Sequence, residues 1–258
     1  MKNLTTIIFL LLPLLAFGQE LNKSVSADYS FSSYSEIYDP AHLTSIQYGQ
    51  KSGWGSLLGR MNVANRFSKT GIQFEVDAYP KIADGIYAYL NYGYSAYTLF
   101  PKQRTGAEIY SSFPKAFEGS LGFRYLYFGS GSDVMIYTAS IGKYYGDYWF
   151  SLRSFITPAD VSFSRSLGLT VRYYYADVDE YLTAKVSGGF SPDDKNYDPA
   201  NGSVYLLESQ SFGLGWKKPL SDVYILTISA DYTKQELVFS PGNFVRVYSF
   251  SAEFLYKF

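Results

Sequence analysis

Arginines and carboxylates recur on one side of an alternating pattern: Arg60, Arg66, Arg104, Arg124, Arg153 and Arg172, together with Glu75, Asp77, Glu108, Asp231 and Glu253. Charges of both signs gathered on one face can do two things. They can neutralise one another as a fixed network inside a partly dry interior. They can also set a transverse field that orders water and discriminates solutes, as a selectivity filter or a sugar track does. Tyr79, Tyr89 and Trp149 share that face and offer rings on which sugars could stack. Both uses stay open at this point.

Other chemistries find less support. A base that works near neutral pH is most often histidine. The chain has one, His42, in Asp39-Pro40-Ala41-His42, which reads as a turn at the outer end of the first hairpin. No Ser, Asp or Glu close to it in sequence forms a recognisable triad. No catalytic residue is assigned, and the chain is expected not to be an enzyme. The oxygen-rich stretch Ser191-Pro192-Asp193-Asp194-Lys195-Asn196-Tyr197-Asp198 lacks calcium-loop spacing and carries Lys195 at its centre. It reads as a solvated turn, as does Asn201-Gly202-Ser203. No metal and no cofactor is expected. There is no phosphate-binding loop and no basic cluster for nucleic acid.

The elements that hold the charged face have a period of two. Ile72, Phe74, Val76 and Ala78 alternate with Gln73, Glu75, Asp77 and Tyr79. Met61, Val63 and Phe67 oppose Arg60, Asn62 and Arg66. Leu121, Phe123, Tyr125 and Tyr127 oppose Ser120, Gly122 and Arg124. Leu167, Leu169, Val171 and Tyr173 oppose Ser166, Gly168, Thr170 and Arg172. Phe212, Leu214 and Trp216 oppose Ser211, Gly213, Gly215 and Lys217. Gly, Pro, Asp, Asn and Ser separate these runs, and helical periodicity is absent. A soluble sandwich and a membrane barrel both produce such alternation. They differ in the polar face, which here is rich in Gly, Ser, Thr and Arg, the filling of a crowded interior. The 27 Tyr and 20 Phe against 17% charged residues also match the aromatic girdles of an outer-membrane barrel.

The two ends point the same way. Met1-Lys2, the apolar run Ile7 to Leu15 and the small residues of Ala16-Phe17-Gly18 form an export leader over residues 1–18, cut before Gln19. The run is too short for a membrane helix, which needs about 20 residues. No cysteine follows it, so a lipid anchor is not expected. Residues 19–258 read as one domain with no linker, and the charge of the whole chain is near neutral (22 Lys+Arg, 23 Asp+Glu), the leader contributing only Lys2. At the other end Phe250, Ala252, Phe254, Tyr256 and Phe258 share one face, opposite Ser249, Ser251 and Glu253. A terminal Phe closing an aromatic strand resembles the signal read by the outer-membrane assembly machinery.

Strand-like runs centre near residues 28, 46, 62, 75, 90, 108, 123, 139, 151, 169, 185, 213, 228 and 251. They predict an all-β, antiparallel up-and-down barrel of about fourteen strands. Twelve is the alternative, with the hairpin Ser24 to Gln50 the most doubtful. An even count places both ends in the periplasm. The two longest connections, Ser191 to Tyr205 and Gln235 to Asn243, then fall outside the cell.

The central motifs carry a family resemblance. They are Gly59-Arg60 to Arg66-Phe67, Gly71-Ile72-Gln73-Phe74-Glu75-Val76-Asp77-Ala78-Tyr79-Pro80, and Tyr87-Ala88-Tyr89-Leu90-Asn91-Tyr92-Gly93-Tyr94-Ser95. Leu99-Phe100-Pro101, Arg104-Thr105-Gly106-Ala107-Glu108 and Phe117-Glu118-Gly119-Ser120-Leu121-Gly122-Phe123-Arg124-Tyr125 continue it. Tyr137-Thr138-Ala139-Ser140-Ile141-Gly142-Lys143-Tyr144-Tyr145-Gly146 and Tyr148-Trp149-Phe150-Ser151-Leu152-Arg153 complete it. Together they resemble the YaiO family of outer-membrane β-barrel proteins, well over residues 45 to 195 and loosely beyond. The resemblance implies a barrel in the outer membrane and an association with surface polysaccharide. Family members that carry a helical-repeat domain ahead of the barrel differ from this chain, whose leader runs almost directly into the first strand. No catalytic residue follows from the resemblance.

The expected function is passive transport, or export and binding of surface polysaccharide, through an Arg/carboxylate-lined lumen. A plugged structural or surface-interaction barrel is the alternative, and an enzyme modifying lipid or glycan is third. Expected partners are outer-membrane lipid, the barrel assembly machinery and polysaccharide, without nucleic acid.

Overall fold

The computed structural model describes residues 21–35, 38–129, 132–158, 163–191, 197–198, 203–204, 207–237 and 240–258. The leader reading over residues 1–18 lies outside them, as do most of the oxygen-rich stretch 191–198 and Asn201-Gly202.

The alternating runs form β1 (Lys23–Tyr34), β2 (Ala41–Ser52), β3 (Gly55–Arg66), β4 (Lys69–Ala83), β5 (Ile86–Tyr94) and β6 (Gln103–Phe113). A single 3₁₀ turn, Pro114–Ala116, leads to β7 (Phe117–Gly129), followed by β8 (Ser132–Tyr145), β9 (Tyr148–Pro158), β10 (Phe163–Tyr174) and β11 (Tyr181–Ser191). Two short strands, β12 (Tyr197–Asp198) and β13 (Ser203–Val204), pair with each other within the connection to β14 (Leu207–Pro219). β15 (Tyr224–Leu237) and β16 (Ser240–Lys257) complete the chain. Fourteen of these close into one antiparallel barrel, each beside its neighbour in sequence, with β1 paired to β16. Closure leaves no free edge, which a wall surrounded by lipid requires. The doubtful first hairpin is part of the wall: β1 and β2 pair over Lys23 to Ser32. The β12–β13 pair was not foreseen.

Burial is inverted relative to a water-soluble protein. Leu121 and Phe74 on the outward face are 72% and 59% exposed, while Glu75 and Asp77 on the inward face are 4% and 2% exposed. An apolar belt of this extent belongs against acyl chains. Wall strands such as β4 (15 residues), β15 (14) and β16 (18) exceed the 9–11 a bilayer needs, so the barrel extends beyond the membrane there.

Where short turns face the periplasm, the periplasmic end is the one that carries Lys23, Phe258 and connections 53–54, 84–85 and 146–147. The 67–68 and 95–102 connections, and the strand ends at Ser191, Leu207, Leu237 and Ser240, are at the extracellular end. The long connection expected from Gln235 to Asn243 is largely strand, because β15 reaches Leu237 and β16 starts at Ser240. Phe67 and Ser68 join β3 to β4 with both φ angles positive (55° and 56°), the mirror-image turn whose twist suits a two-residue hairpin. Neither is Gly or Asn, so sequence gave no turn signal there. Phe67 therefore sits in this turn and not on the strand face with Met61 and Val63.

Candidate functional site in the barrel lumen

The inward face is organised in three layers. In the central layer, Arg60 on β3 lies opposite Glu75 on β4 in the ladder, and its Nη1 is 3.1 Å from Glu75 Oε2. Its Nη2 reaches Asp77 Oδ2 at 3.0 Å and donates to Gln47 Oε1 at 2.8 Å. Asp77 Oδ1 also accepts from the Tyr89 hydroxyl and from Asn91 Nδ2, at 3.0 and 2.6 Å. Asn62 Nδ2 donates to Gln73 Oε1 and Glu75 Oε2, and Arg104 Nη1 stands 3.5 Å from Glu75 Oε1. A second group forms across β6 to β9. Arg153 pairs with Glu108 at 2.9 Å and donates to the Tyr110 hydroxyl, and Ser120 donates to Glu108. The carboxylates lie beneath the guanidinium groups: Glu75, Asp77 and Glu108 side chains are 3–4% exposed, against 24–32% for Arg60, Arg104 and Arg153. The surface offered to a solute by these strands is therefore guanidinium edge.

The periplasmic layer is an aromatic collar spread over β4 to β11. Tyr79 and Tyr89 lie 5.2 Å apart, Tyr87 and Tyr110 stack at 4.7 Å with parallel planes, and Tyr174 meets Tyr181 edge-on at 5.3 Å. Tyr144 approaches Trp149 at 6.4 Å, and Trp149 Nε1 donates to Glu118 Oε1. Arg172 lies between Trp149 and Tyr181, 4.7 and 4.8 Å from their ring centres, a double cation–π contact. Just below, Asp179 in the 175–180 connection joins Lys217 of β14 at 2.7 Å and Lys257 of β16 at 3.0 Å. Partial burial works to raise the pKa of Asp179. The hydrogen bonds and charges of the two lysines outweigh it and hold the carboxyl below its ordinary 3.8.

A cavity of about 1000 Å³ runs from the central network, where Arg60, Asn62, Gln73, Glu75 and Arg104 line it, into the extracellular layer. Its wall is rich in hydroxyls (Ser30, Ser32, Ser45, Ser209, Ser211, Ser249) and includes Arg66, Lys69, Asp28 and Glu253. Cross-strand hydroxyl pairs link Ser32 to Ser249 at 2.7 Å and Ser187 to Ser211 at 2.6 Å. Small side chains on β1, β2 and β14 to β16 leave this space, whereas the opposite arc is filled. There Leu126, Phe128 and Ile136 form an apolar cluster with Val134 and Phe155, and Arg124 lies 5.8 Å from the Phe155 ring.

Of the residues singled out from sequence, Arg60, Glu75, Asp77, Tyr89 and Arg104 thus meet in one network, and Glu108 and Arg153 in another. Trp149 and Arg172 meet in the collar, and Tyr79 belongs to another part of it, against Tyr89. Arg66 lines the cavity and stacks on Phe67 at 4.6 Å. Glu253 lies opposite Asp28 in the β1–β16 ladder, and Asp231 accepts from Ser229. His42 requires a correction. It belongs to β2, on the outward side with Tyr29, whose hydroxyl is 2.7 Å from its Nδ1. Tyr87, Tyr110, Tyr144, Tyr174 and Tyr181 were missed, because tyrosine is equally at home on the outward girdles and residue type alone does not choose the face. The inward apolar cluster was signalled by the unbroken run Tyr125-Leu126-Tyr127-Phe128, which alternation cannot split.

A closed wall, an outward apolar belt and enclosed charges define an outer-membrane β-barrel. The chain belongs to the family described as the YaiO membrane beta barrel domain, which matches residues 22–194. None of the curated proteins compared matches it. Among solved structures, it is similar to the outer membrane protein Omp33 of Acinetobacter baumannii, with TM-score 0.54 and 10% identity over 93% of this chain and 100% of that one. It is also similar to an anion-selective porin from Comamonas acidovorans, with TM-score 0.48 and 9% identity over 92% and 98%.

Proposed function

We propose that the barrel binds surface carbohydrate in its lumen and passes it across the outer membrane. The supporting observation is the collar: aromatic rings gather there from successive strands, with Arg172 over the Trp149 and Tyr181 rings, Arg153 at the Tyr110 hydroxyl and Glu118 at the Trp149 indole nitrogen. Sugar rings need both, an apolar face to stack on and polar groups for their hydroxyls. The test is single-channel recording in planar bilayers with a linear gluco-oligosaccharide added. Blockade is expected, and Trp149→Ala is expected to raise the half-blocking concentration about tenfold, the equivalent of roughly 1.4 kcal/mol. Conductance without blockade would remove carbohydrate from the proposal.

A second reading, a plugged structural barrel, draws on the ion pairs and on the Leu126, Phe128 and Ile136 cluster, which fill one arc of the lumen. Fourteen strands lie between barrels filled by their own side chains and those with open channels. Arg124→Ala separates the readings: altered conductance or selectivity favours transport, and no measurable conductance in either protein favours the plug.

A further inference from the structure

The outward face of β15 and β16 holds a feature that the lumen does not explain. Going outward along it, Tyr224 and Tyr256 mark the inner girdle, followed by Leu226 with Phe254, Ile228 with Ala252 and Ala230 with Phe250. Tyr232 and Tyr248, 5.5 Å apart, mark the outer girdle. From Tyr256 to Tyr248 is about 26 Å along the strand and about 20 Å after tilt, close to the height of a barrel's apolar band. The next outward pair, one pleat above the tyrosines, is Lys234 opposite Arg246.

Both side chains are exposed, and among the described residues no carboxylate lies within ion-pair distance of either. Like charges directly opposite on one face of an antiparallel pair repel. Glu236, the nearest acid along β15, is engaged with the backbone amides of Glu208 and Gly242. Lys234 Nζ lies over the Phe244 ring at 4.3 Å, which holds it at the rim. Gln210 lies beside Lys234 in the β14 ladder and adds a neutral donor. A dibasic pair at headgroup height, at the extracellular end and with no ion-pair partner among the described residues, is complementary to a multiply charged anion carried by a lipid.

We propose that Lys234 and Arg246 bind the phosphates of a phosphorylated glycolipid of the outer leaflet, with the acyl chains lying along the Tyr232–Tyr248 belt. This site is on the outside of the wall and rests on the membrane placement alone, so it stands or falls separately from the carbohydrate proposal. The test incubates detergent-solubilised full-length protein with diphosphorylated lipid A and measures retained lipid by native mass spectrometry. Folding of each variant is checked by heat-modifiable gel migration. The wild type is expected to retain lipid A, and Lys234→Gln/Arg246→Gln to weaken retention by roughly tenfold or more. Lys218→Gln, at the periplasmic end of β14, is expected to leave it unchanged. Wild-type protein alone supplies a second arm: lipid A stripped of both phosphates is expected to bind at least about tenfold more weakly. Equal retention by the double variant, equal binding of the stripped lipid, or full displacement by millimolar inorganic phosphate would each overturn the proposal.

Discussion

Arg60 and Glu75 face each other directly across the β3–β4 ladder, and the same guanidinium also reaches Asp77 two residues further along β4. One cation therefore neutralises two almost fully buried carboxylates. Removing it leaves charges that Arg104, at a longer 3.5 Å from Glu75, does not fully replace. Arg60→Ala is expected to cost about 2 kcal/mol of stability: a fully buried pair would give about 3–5, and Arg60 is a third exposed. The added change Glu75→Gln/Asp77→Asn is expected to recover part of that loss. Urea unfolding of folded barrels in detergent, followed by tryptophan fluorescence, measures both. A single variant as stable as the wild type would show that the lumen solvates these carboxylates well.

Two glycines of β3 separate backbone requirement from mere smallness. Gly55 has φ of 144°, and a Cβ there would run into the Tyr79 carbonyl; at Gly59 a Cβ meets nothing within 4 Å. Gly55→Ala is expected to destabilise by about 2 kcal/mol or more, and Gly59→Ala to stay within about 0.5 kcal/mol of the wild type. The same unfolding measurement compares them, and similar losses at the two positions would remove the conformational argument.

At the periplasmic mouth, Asp179 ties the 175–180 connection to β14 and β16 through Lys217 and Lys257. Its folded pKa lies below the ordinary 3.8, so its contribution is fully present above that value and is lost as pH falls through the depressed folded value. Between pH 5 and 8 the tie is expected to be independent of pH. Asp179→Asn at neutral pH is expected to lower the hydrogen-exchange protection factors of amides 175–180, a loss of protection the wild type shows only after acidification below about pH 4. Exchange in that segment unchanged by the substitution would leave the lysine contacts without a holding role.

The wall was legible because a closed barrel imposes period two on every strand, and each of the fourteen centres read from the sequence falls inside an observed strand. Pairings such as Arg60 with Glu75 were not legible, since register depends on turn lengths, and the Phe67-Ser68 turn carries no glycine or asparagine to mark it. His42 was misplaced because Pro40 suggests a turn, while β2 begins one residue later and carries the imidazole outward to Tyr29. The collar was half seen: Tyr79, Tyr89 and Trp149 follow from alternation, but Tyr174 and Tyr181 come together only when β10 and β11 fold back on each other.

Phe258 joins two roles that a substitution can separate. Its backbone closes the barrel, donating to Lys23 O at 2.9 Å and accepting from Lys23 N at 3.0 Å, while its ring stacks on Tyr256 at 5.5 Å. Phe258→Ala keeps both backbone hydrogen bonds and removes only the ring. If the ring is what the assembly machinery reads, the variant is expected to refold in detergent with nearly wild-type yield and stability. In cells its level in the outer membrane is expected to fall several-fold. Equal losses in both settings would instead make Phe258 a packing residue of the β1–β16 seam, since detergent refolding requires no recognition step.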